Sequence, residues 1–317
     1  MHFLLVGPGA LGCLLCAVVT KGVAGSSDRL TVLDYNRDRA KHLTDRGILY
    51  RLGDTDETIG VTAVFDPQGL APVDVVLLCV KSYDVAASLD FCRPLLSEGT
   101  LLVFLQNGIS HLGLGERLAP ATAAYGTTTE GATLLRQGHV RHAGRGVTYL
   151  GFPAPQTEHF ARLLDRTREV FAEGGLQAEV TDRIVARIWA KLFINVGINA
   201  LTATLGCKNG ELLTRAGVDT RMRDAVAEAA RVAEAEGIEI MDDPHLATRT
   251  VCQKTAENVS SMLQDVRNRR RTEIEAINGA VESLGRRNSI PTPENSLLCQ
   301  QVKEIEAAFP QRAVSRP

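Results

Sequence analysis

Apolar positions along the chain follow two regimes. In the first half, short and almost uninterrupted apolar runs alternate with stretches at helical spacing; from about Thr181 onward, Ala, Glu, Arg and Leu recur at helical spacing. Phe3 to Val6, Leu30 to Leu33, Val75 to Val80 and Leu101 to Leu105 are nearly all apolar, as parallel strands covered on both faces must be. Strands alternating with helices predict a doubly wound sheet. Between Thr133 and Gly151, the turn groups Gln137-Gly138 and Gly144-Arg145-Gly146 separate short alternating runs, which predicts antiparallel strands added to that sheet, making it mixed. An amphipathic helix is predicted over 157–173, ended by Gly174-Gly175, and a last strand from Leu176 to Val180. Further helices are predicted near 182–204, 215–237, 244–264, 267–287 and 294–308. The expected organisation is an α/β domain over 1–181, an all-helical domain over 182–309 and a loose tail over 310–317.

The length of 317 residues agrees with two domains at roughly 150 residues each. No long uncharged apolar run is evident, so a membrane role is not expected. Thirty-five Lys and Arg against 37 Asp and Glu leave a net charge of −2, which provides no global basic field for nucleic acid. The local run Arg267-Asn268-Arg269-Arg270-Arg271 lacks interleaved aromatics and reads as a solvated helix face. Seven scattered cysteines, an odd number, do not form a disulfide framework and fit a reducing cytoplasm. Cys13 and Cys16 fall in an apolar helical run with no second pair, so they read as core and no metal site is expected. Met1 to Val6 lacks a basic flank and runs into a glycine turn, so it reads as a strand and not a signal peptide. Neither H-E-x-x-H nor G-x-S-x-G occurs, which leaves hydrolase readings unsupported.

Gly7-Pro8-Gly9-Ala10-Leu11-Gly12 is G-x-G-x-x-G placed directly after the first strand and before a helical run. Gly7 permits the tight turn, Gly9 lets backbone N–H groups approach a pyrophosphate, and Gly12 allows close packing of helix on strand. Asp34 ends the second strand, 22 residues after Gly12, where a carboxylate accepts from adenosine ribose hydroxyls and repels a 2′-phosphate. It argues for NADH over NADPH. Arg37 and Arg39 lie just beyond and read either as a solvated turn or as a clamp on that phosphate. Lys81 and Asn107 follow the third and fourth strands, at carboxyl ends where open α/β sheets bind ligands. A surface lysine and a plain Asn-Gly turn explain them equally well.

Ile188 to Leu201 is apolar almost all round, so a helix here is buried. Lys191, Asn195 and Asn199 are set into it at i, i+4 and i+8, on one face. A buried ammonium and two buried amides need partners: either a hydrogen-bonded ladder to a neighbouring helix or the floor of a substrate pocket with Lys191 as proton donor. Farther on, Asn258 and Ser261 lie three residues apart on what reads as one helix face, and Glu273 shares the register of Ile277 and so faces inward. A helix-face hydroxyl and a structural ion pair are the competing readings of these groups.

Taken together, Gly7-x-Gly9-Ala10-Leu11-Gly12, Cys79-Val80-Lys81-Ser82, Gln106-Asn107-Gly108, Gly126-Thr127-Thr128-Thr129, Trp189-Ala190-Lys191-Leu192 with Asn195 and Asn199, Asn209-Gly210-Glu211-Leu212, Asn258-Val259-Ser260-Ser261-Met262 and Thr272-Glu273-Ile274-Glu275 resemble the ketopantoate reductases, or 2-dehydropantoate 2-reductases. The resemblance spans nearly the whole chain. It implies an amino-terminal Rossmann-type domain and a carboxyl-terminal helical domain like that of 6-phosphogluconate dehydrogenases. It further implies NAD(P)H-dependent reduction of ketopantoate to pantoate in pantothenate and coenzyme A biosynthesis. By motif, Lys191 is similar to the family's general acid, and Asn195, Asn199, Asn209, Asn258 and Ser261 to its substrate contacts. Glu273 matches the acid at the meeting of cofactor and substrate, and Lys81, Asn107 and Ala132 match cofactor contacts. The family commonly places an arginine after the second strand for the 2′-phosphate of NADPH, whereas this chain has Asp34-Tyr35-Asn36-Arg37. The expected partner is a small 2-oxo acid, with a homodimer as the assembly considered. The rival readings are an NAD-dependent D-2-hydroxy acid dehydrogenase of mandelate type with the same fold, and a non-catalytic dinucleotide sensor.

Overall fold

The computed structural model describes residues 1–114 and 120–310. Apart from Pro310, the tail expected over 310–317 lies outside the described residues. The chain divides into two compact units, one of Met1–Gln106 and His111–Ile184, the other of Asn107–Ser110 and the chain from Val185 on.

In the first unit, β1 (His2–Val6), α1 (Ala10–Gly22), β2 (Arg29–Leu33), α2 (Arg37–Arg46), β3 (Ile48–Leu52), β4 (Thr55–Ile59), β5 (Thr62–Val64), β6 (Val75–Leu78), α3 (Val85–Cys92) and β7 (Leu101–Phe104) come first. They are followed by β8 (Thr122–Thr128), β9 (Gly131–Arg136), β10 (His139–Gly144), β11 (Val147–Gly151), α4 (Glu158–Glu173) and β12 (Gln177–Val180). The main sheet has the order β12-β11-β8-β7-β6-β1-β2-β5. Its strands run parallel except at β8 against β11, so the sheet is mixed, as its turn signals indicate. Every residue of β1, β6 and β7 is buried, which is why these strands carry no polar alternation.

Only β11 of the expected antiparallel additions joins this sheet. The β9–β10 hairpin instead forms a second sheet of order β4-β3-β10-β9, with β10 parallel to β3. Its inner face packs on α1. The sequence hid the partner strands because β4, Thr55-Asp56-Glu57-Thr58-Ile59, buries only its last residue.

The second unit holds α5 (Ile184–Leu205) from Val185 onward, then α6 (Val218–Ala235), α7 (Pro244–Lys254), α8 (Ser261–Arg267), α9 (Asn278–Arg287) and α10 (Pro293–Ala307). Helix α5 is long and apolar enough to cross a membrane by length and composition, although Arg187 and Lys191 interrupt it so that it is not an uncharged run, and 67% of its most apolar window is buried inside the protein. It close-packs on its neighbours: a Cβ at Gly197 would lie 2.7 Å from Thr248 Cγ2 and 2.9 Å from Val226 Cγ2.

The continuous helices expected over 244–264 and 267–287 do not form. Helix α7 stops at Lys254, where the Thr255 hydroxyl donates to Val251 O at 2.6 Å and Asn258 N donates to Thr255 O at 2.9 Å. Ser260 then restarts the chain as the N-cap of α8, its Oγ accepting from Leu263 N at 3.1 Å. At the other end, Asn268 Nδ2 donates to Gln264 O at 2.7 Å and Arg269 adopts a φ of 51°, which closes α8. Side chains that bond the local backbone won over helical periodicity. The arginine run is therefore an exposed helix end and turn and not a helix face.

Candidate active site

The glycine turn stands between β1 and α1. Gly7 has a φ of 90°, and a Cβ there would fall 2.4 Å from Val80 Cγ1; one at Gly12 would fall 2.1 Å from Gly7 O. Both positions are closed to any other residue by the packing of strand, turn and helix. Gly9 differs, because a Cβ added there meets nothing within 4 Å. Gly9 is also the N-cap of α1 and gives it no side-chain hydrogen bond, and the helix has no acid in its first turn. Open space over uncapped N–H groups at Ala10, Leu11 and Gly12 is a setting that a pyrophosphate fits. Pro8 is buried, and its carbonyl accepts from the Cys13 thiol at 3.2 Å, which ties the turn to the helix. Burial pushes that thiol up to about 12, so it stays protonated as a donor.

Asp34 directly follows β2, with 1% of its surface exposed. Its carboxylate is gripped by the Arg39 guanidinium, Nη2 donating to Oδ1 at 2.6 Å and Nε to Oδ2, and it accepts Asn36 N at 3.0 Å. Arg39 is thus not a free solvated arginine, and the negative charge of Asp34 is compensated. Arg37 lies 4.2 Å from the Phe65 ring centroid. Lys81 precedes a short 3-10 turn at Ser82–Asp84, and Ala132 is half-buried on β9, opposite His142.

The second unit gathers the other chemistry. Lys191, Asn195 and Asn199 lie on α5, the first two partly buried and Asn199 5% exposed. Lys191 Nζ donates to Asn107 Oδ1 at 2.8 Å, and Asn107 Nδ2 donates to Glu273 Oε2 at 3.1 Å. The orientation of the amide is forced, since an ammonium only donates and a carboxylate only accepts. Lys191 keeps some accessible surface, yet its charged end is desolvated, and burial lowers its pKa from 10.5 to about 8 against the opposing pull of Glu273. The Asn-Gly turn is built for this contact. Gly108 has a φ of 78°, a Cβ there would lie 2.0 Å from Ala276 O, and Ile109 N donates to that same carbonyl at 3.1 Å.

Glu273 is buried, as expected, but not through a helical register with Ile277: it precedes a single 3-10 turn at Ile274–Ala276. Asn258 and Ser261 likewise do not share a helix face. Asn258 is an exposed residue of the segment between α7 and α8, and Ser261 is the exposed first residue of α8. Asn209 opens a 3-10 turn at Asn209–Leu213 and is 7% exposed. Its backbone N donates to Asn258 O at 3.0 Å, and its Nδ2 donates to Thr255 Oγ1 at 2.9 Å. Because the Thr255 proton is already given to Val251 O, the Asn209 atom facing it must be the nitrogen. Asn209 Oδ1 is left buried with no hydrogen-bond partner among the described residues.

One residue escaped the sequence reading. Thr202, fully buried, lies 2.6 Å from Ser260 through its hydroxyl. The signal was present, since 202 continues the polar stripe of 191, 195 and 199 by one more turn.

Two family descriptions match the chain: ketopantoate reductase PanE/ApbA over residues 3–155 and ketopantoate reductase PanE/ApbA C terminal over 183–306. A 2-dehydropantoate 2-reductase of Halobacterium salinarum is 35% identical over 309 residues, covering 96% of this chain and 98% of that protein. One from Pyrococcus horikoshii is 30% identical over 312 residues, covering 97% and 98%. Among solved structures, a PanE/ApbA family ketopantoate reductase from Ralstonia eutropha superposes with a TM-score of 0.87 at 30% identity, covering 97% of this chain and 99% of that one. D-mandelate dehydrogenase in a ternary structure with NADH and anilino(oxo)acetate gives the same TM-score at 24% identity, covering 98% and 99%, which is a likeness of fold.

Proposed function

The chain belongs to the ketopantoate reductase family, NAD(P)-dependent oxidoreductases acting on a CH–OH group, and on that premise we propose that it reduces ketopantoate to pantoate with Lys191 as the general acid. A bound reduced nicotinamide supplies the hydride. The remaining work belongs to the chain. The first unit binds the dinucleotide at Gly7 to Gly12, and the second binds the 2-oxo acid and protonates it.

The observation that carries this reading is the desolvated Lys191 ammonium held by Asn107. As negative charge develops on the carbonyl oxygen of a 2-oxo acid, a fixed ammonium with its pKa near 8 stabilises that charge and then gives up its proton. Asn107 aims the ammonium, and Glu273, through Asn107, keeps it charged. Asn258 and Ser261 are the proposed partners of the substrate carboxylate, with Asn195 and Asn199 along the same helix face as Lys191. Asn209 Oδ1 supports a substrate that carries a distal hydroxyl: a buried acceptor costs about 1–3 kcal/mol while unpaired, and a hydroxyl donor removes that cost. An aryl 2-oxo acid of mandelate type offers no such donor.

For the cofactor, Asp34 supports NADH, and its pairing with Arg39 limits how strongly a 2′-phosphate is repelled. The test is a grid of steady-state rates with ketopantoate, phenylglyoxylate and a branched 2-oxo acid, each with NADH and NADPH, for wild type and Asp34→Ser. The expected result is highest kcat/KM with ketopantoate and NADH, and a gain for NADPH in Asp34→Ser as Arg39 is released. Higher efficiency with phenylglyoxylate overturns the substrate assignment, and binding of dinucleotide with no turnover of any 2-oxo acid overturns the catalytic one.

A further inference from the structure

We propose that the buried hydroxyl pair Thr202–Ser260 is a positioning device for the substrate, fixing the carboxylate-binding segment Asn258–Ser261 against the helix that carries Lys191. The proposal rests on the reading of Asn258 and Ser261 as substrate contacts.

The protons of this pair can be assigned in one consistent direction. Ser260 Oγ accepts from Leu263 N at 3.1 Å and lies 2.6 Å from Thr202 Oγ1, which lies 2.8 Å from Ile198 O and 3.0 Å from Asn199 O. A carbonyl can only accept, so the Thr202 proton goes to the backbone of α5, and the Ser260 proton must then go to Thr202. The result is an unbroken run from the first turn of α8, through two side chains, to the α5 carbonyls at Ile198 and Asn199. Thr202 is 0% exposed and Ser260 6% exposed, so water does not compete for either link.

Local bonds shape the anchored segment, Asn258 N donating to Thr255 O and Gln264 Nε2 to Val259 O, both at 2.9 Å, but neither of these ties it to α5. It runs from beyond the end of α7 to the first residue of α8, with Asn258 and Ser261 both exposed at its ends. On its far side the 209–210 turn grips it, Asn209 N donating to Asn258 O at 3.0 Å and Gly210 N to Ala256 O at 3.1 Å. Thr202 supplies the opposing grip, and it does so from the helix that bears Lys191, Asn195 and Asn199. Two links of fixed length thereby set the offset between the groups proposed for the carboxylate and the proposed proton donor. A 2-oxo acid binds through both at once, so a slack segment costs substrate affinity before it costs anything else.

The test is Thr202→Val, which keeps shape and removes the hydroxyl, with Thr202→Ser as the conservative rescue and Ser260→Ala breaking the same link from the other side. Ser261→Ala runs in parallel. The readouts are KM and kcat for ketopantoate, NADH affinity by fluorescence titration and Tm. Thr202→Val is expected to raise the KM for ketopantoate about tenfold, the worth of one well-made hydrogen bond, with NADH affinity within twofold and Tm within a few degrees. Thr202→Ser restores KM, and Ser260→Ala reproduces the rise with some added loss of Tm from the missing cap. An unchanged KM in Thr202→Val while Ser261→Ala raises it overturns the proposal. So does a fall in Tm with KM and NADH affinity worsening together, the mark of a merely structural bond. If Ser261→Ala itself leaves KM unmoved, the underlying assignment of the substrate contacts fails instead.

Discussion

An ammonium enclosed by protein atoms is an acid whose strength the surrounding chain sets, and two neighbours of Lys191 act on it in opposite senses. Burial lowers its pKa to about 8 from 10.5, and the Glu273 carboxylate beyond Asn107 opposes the fall. With Lys191 as the proposed general acid, reduction needs the protonated form, so kcat/KM for the 2-oxo acid is expected to be level below pH 8 and to drop about tenfold per unit above it. Oxidation of the hydroxy acid, which needs the neutral amine, should show the opposite limb. Glu273→Gln removes the charge that holds the proton on, so its break should move to lower pH; a break that stays in place removes Glu273 from this role. Lys191→Met is expected to cut turnover about 10³-fold with Tm unchanged or higher, because a desolvated charge is lost. The sign follows from linkage. A lysine whose folded pKa lies below its unfolded value opposes folding while charged, and that opposition fades between pH 8 and 10.5.

At the scale of elements, helix α10 is started by a carboxylate from another helix. Its own N-cap, Thr292, makes no side-chain cap; instead Glu228 of α6 accepts Glu294 N and Asn295 N, both at 2.9 Å, and Asn295 Nδ2 at 2.8 Å. Asn295 Nδ2 also donates to Ala225 O, and Asn278 Nδ2 of α9 donates to Asn295 Oδ1 at 3.0 Å, so three helices meet at one buried polar knot. Glu228→Ala strands several buried donors and is expected to cost about 3 kcal/mol in urea unfolding, against a smaller loss for Glu228→Gln, which keeps an acceptor. Equal losses would falsify the capping account. Glu228 also shows what the sequence conceals. Periodicity revealed α4, α5 and the buried strands because burial on one or both faces writes itself into composition. It carried no trace of β4, which is exposed, nor of the breaks at Thr255 and Asn268, where a single side chain outbids the helix. The glycine turn and the Lys191 stripe were legible because each is local. The Asn107 bridge and the Thr202–Ser260 pair join residues 84 and 58 positions apart, and no local pattern records such a meeting.

At the scale of the molecule, the division of the sequence near residue 181 describes composition better than it describes the path of the chain. The chain leaves the first unit after Gln106, gives four residues to the second, and returns at His111. Asn107 is the residue so delivered, and the fidelity of its delivery depends on Gly108, where φ is 78° and a Cβ would sit 2.0 Å from Ala276 O. Backbone cannot retreat from such an approach as a side-chain tip can. Gly108→Ala is therefore expected to dislodge Asn107 from Lys191, lowering kcat at least tenfold, shifting the alkaline break of the pH profile and reducing Tm. Gly9→Ala is the instructive contrast. Nothing lies within 4 Å of its added Cβ, so the protein should fold with unchanged Tm, while NADH affinity falls because the methyl group takes the space over the α1 N-terminus. On the proposed reading one glycine is required by the chain itself and the other by the dinucleotide, and Tm against NADH affinity separates them. If Gly9→Ala loses Tm while keeping NADH affinity, the space above that turn is structural and the dinucleotide binds elsewhere.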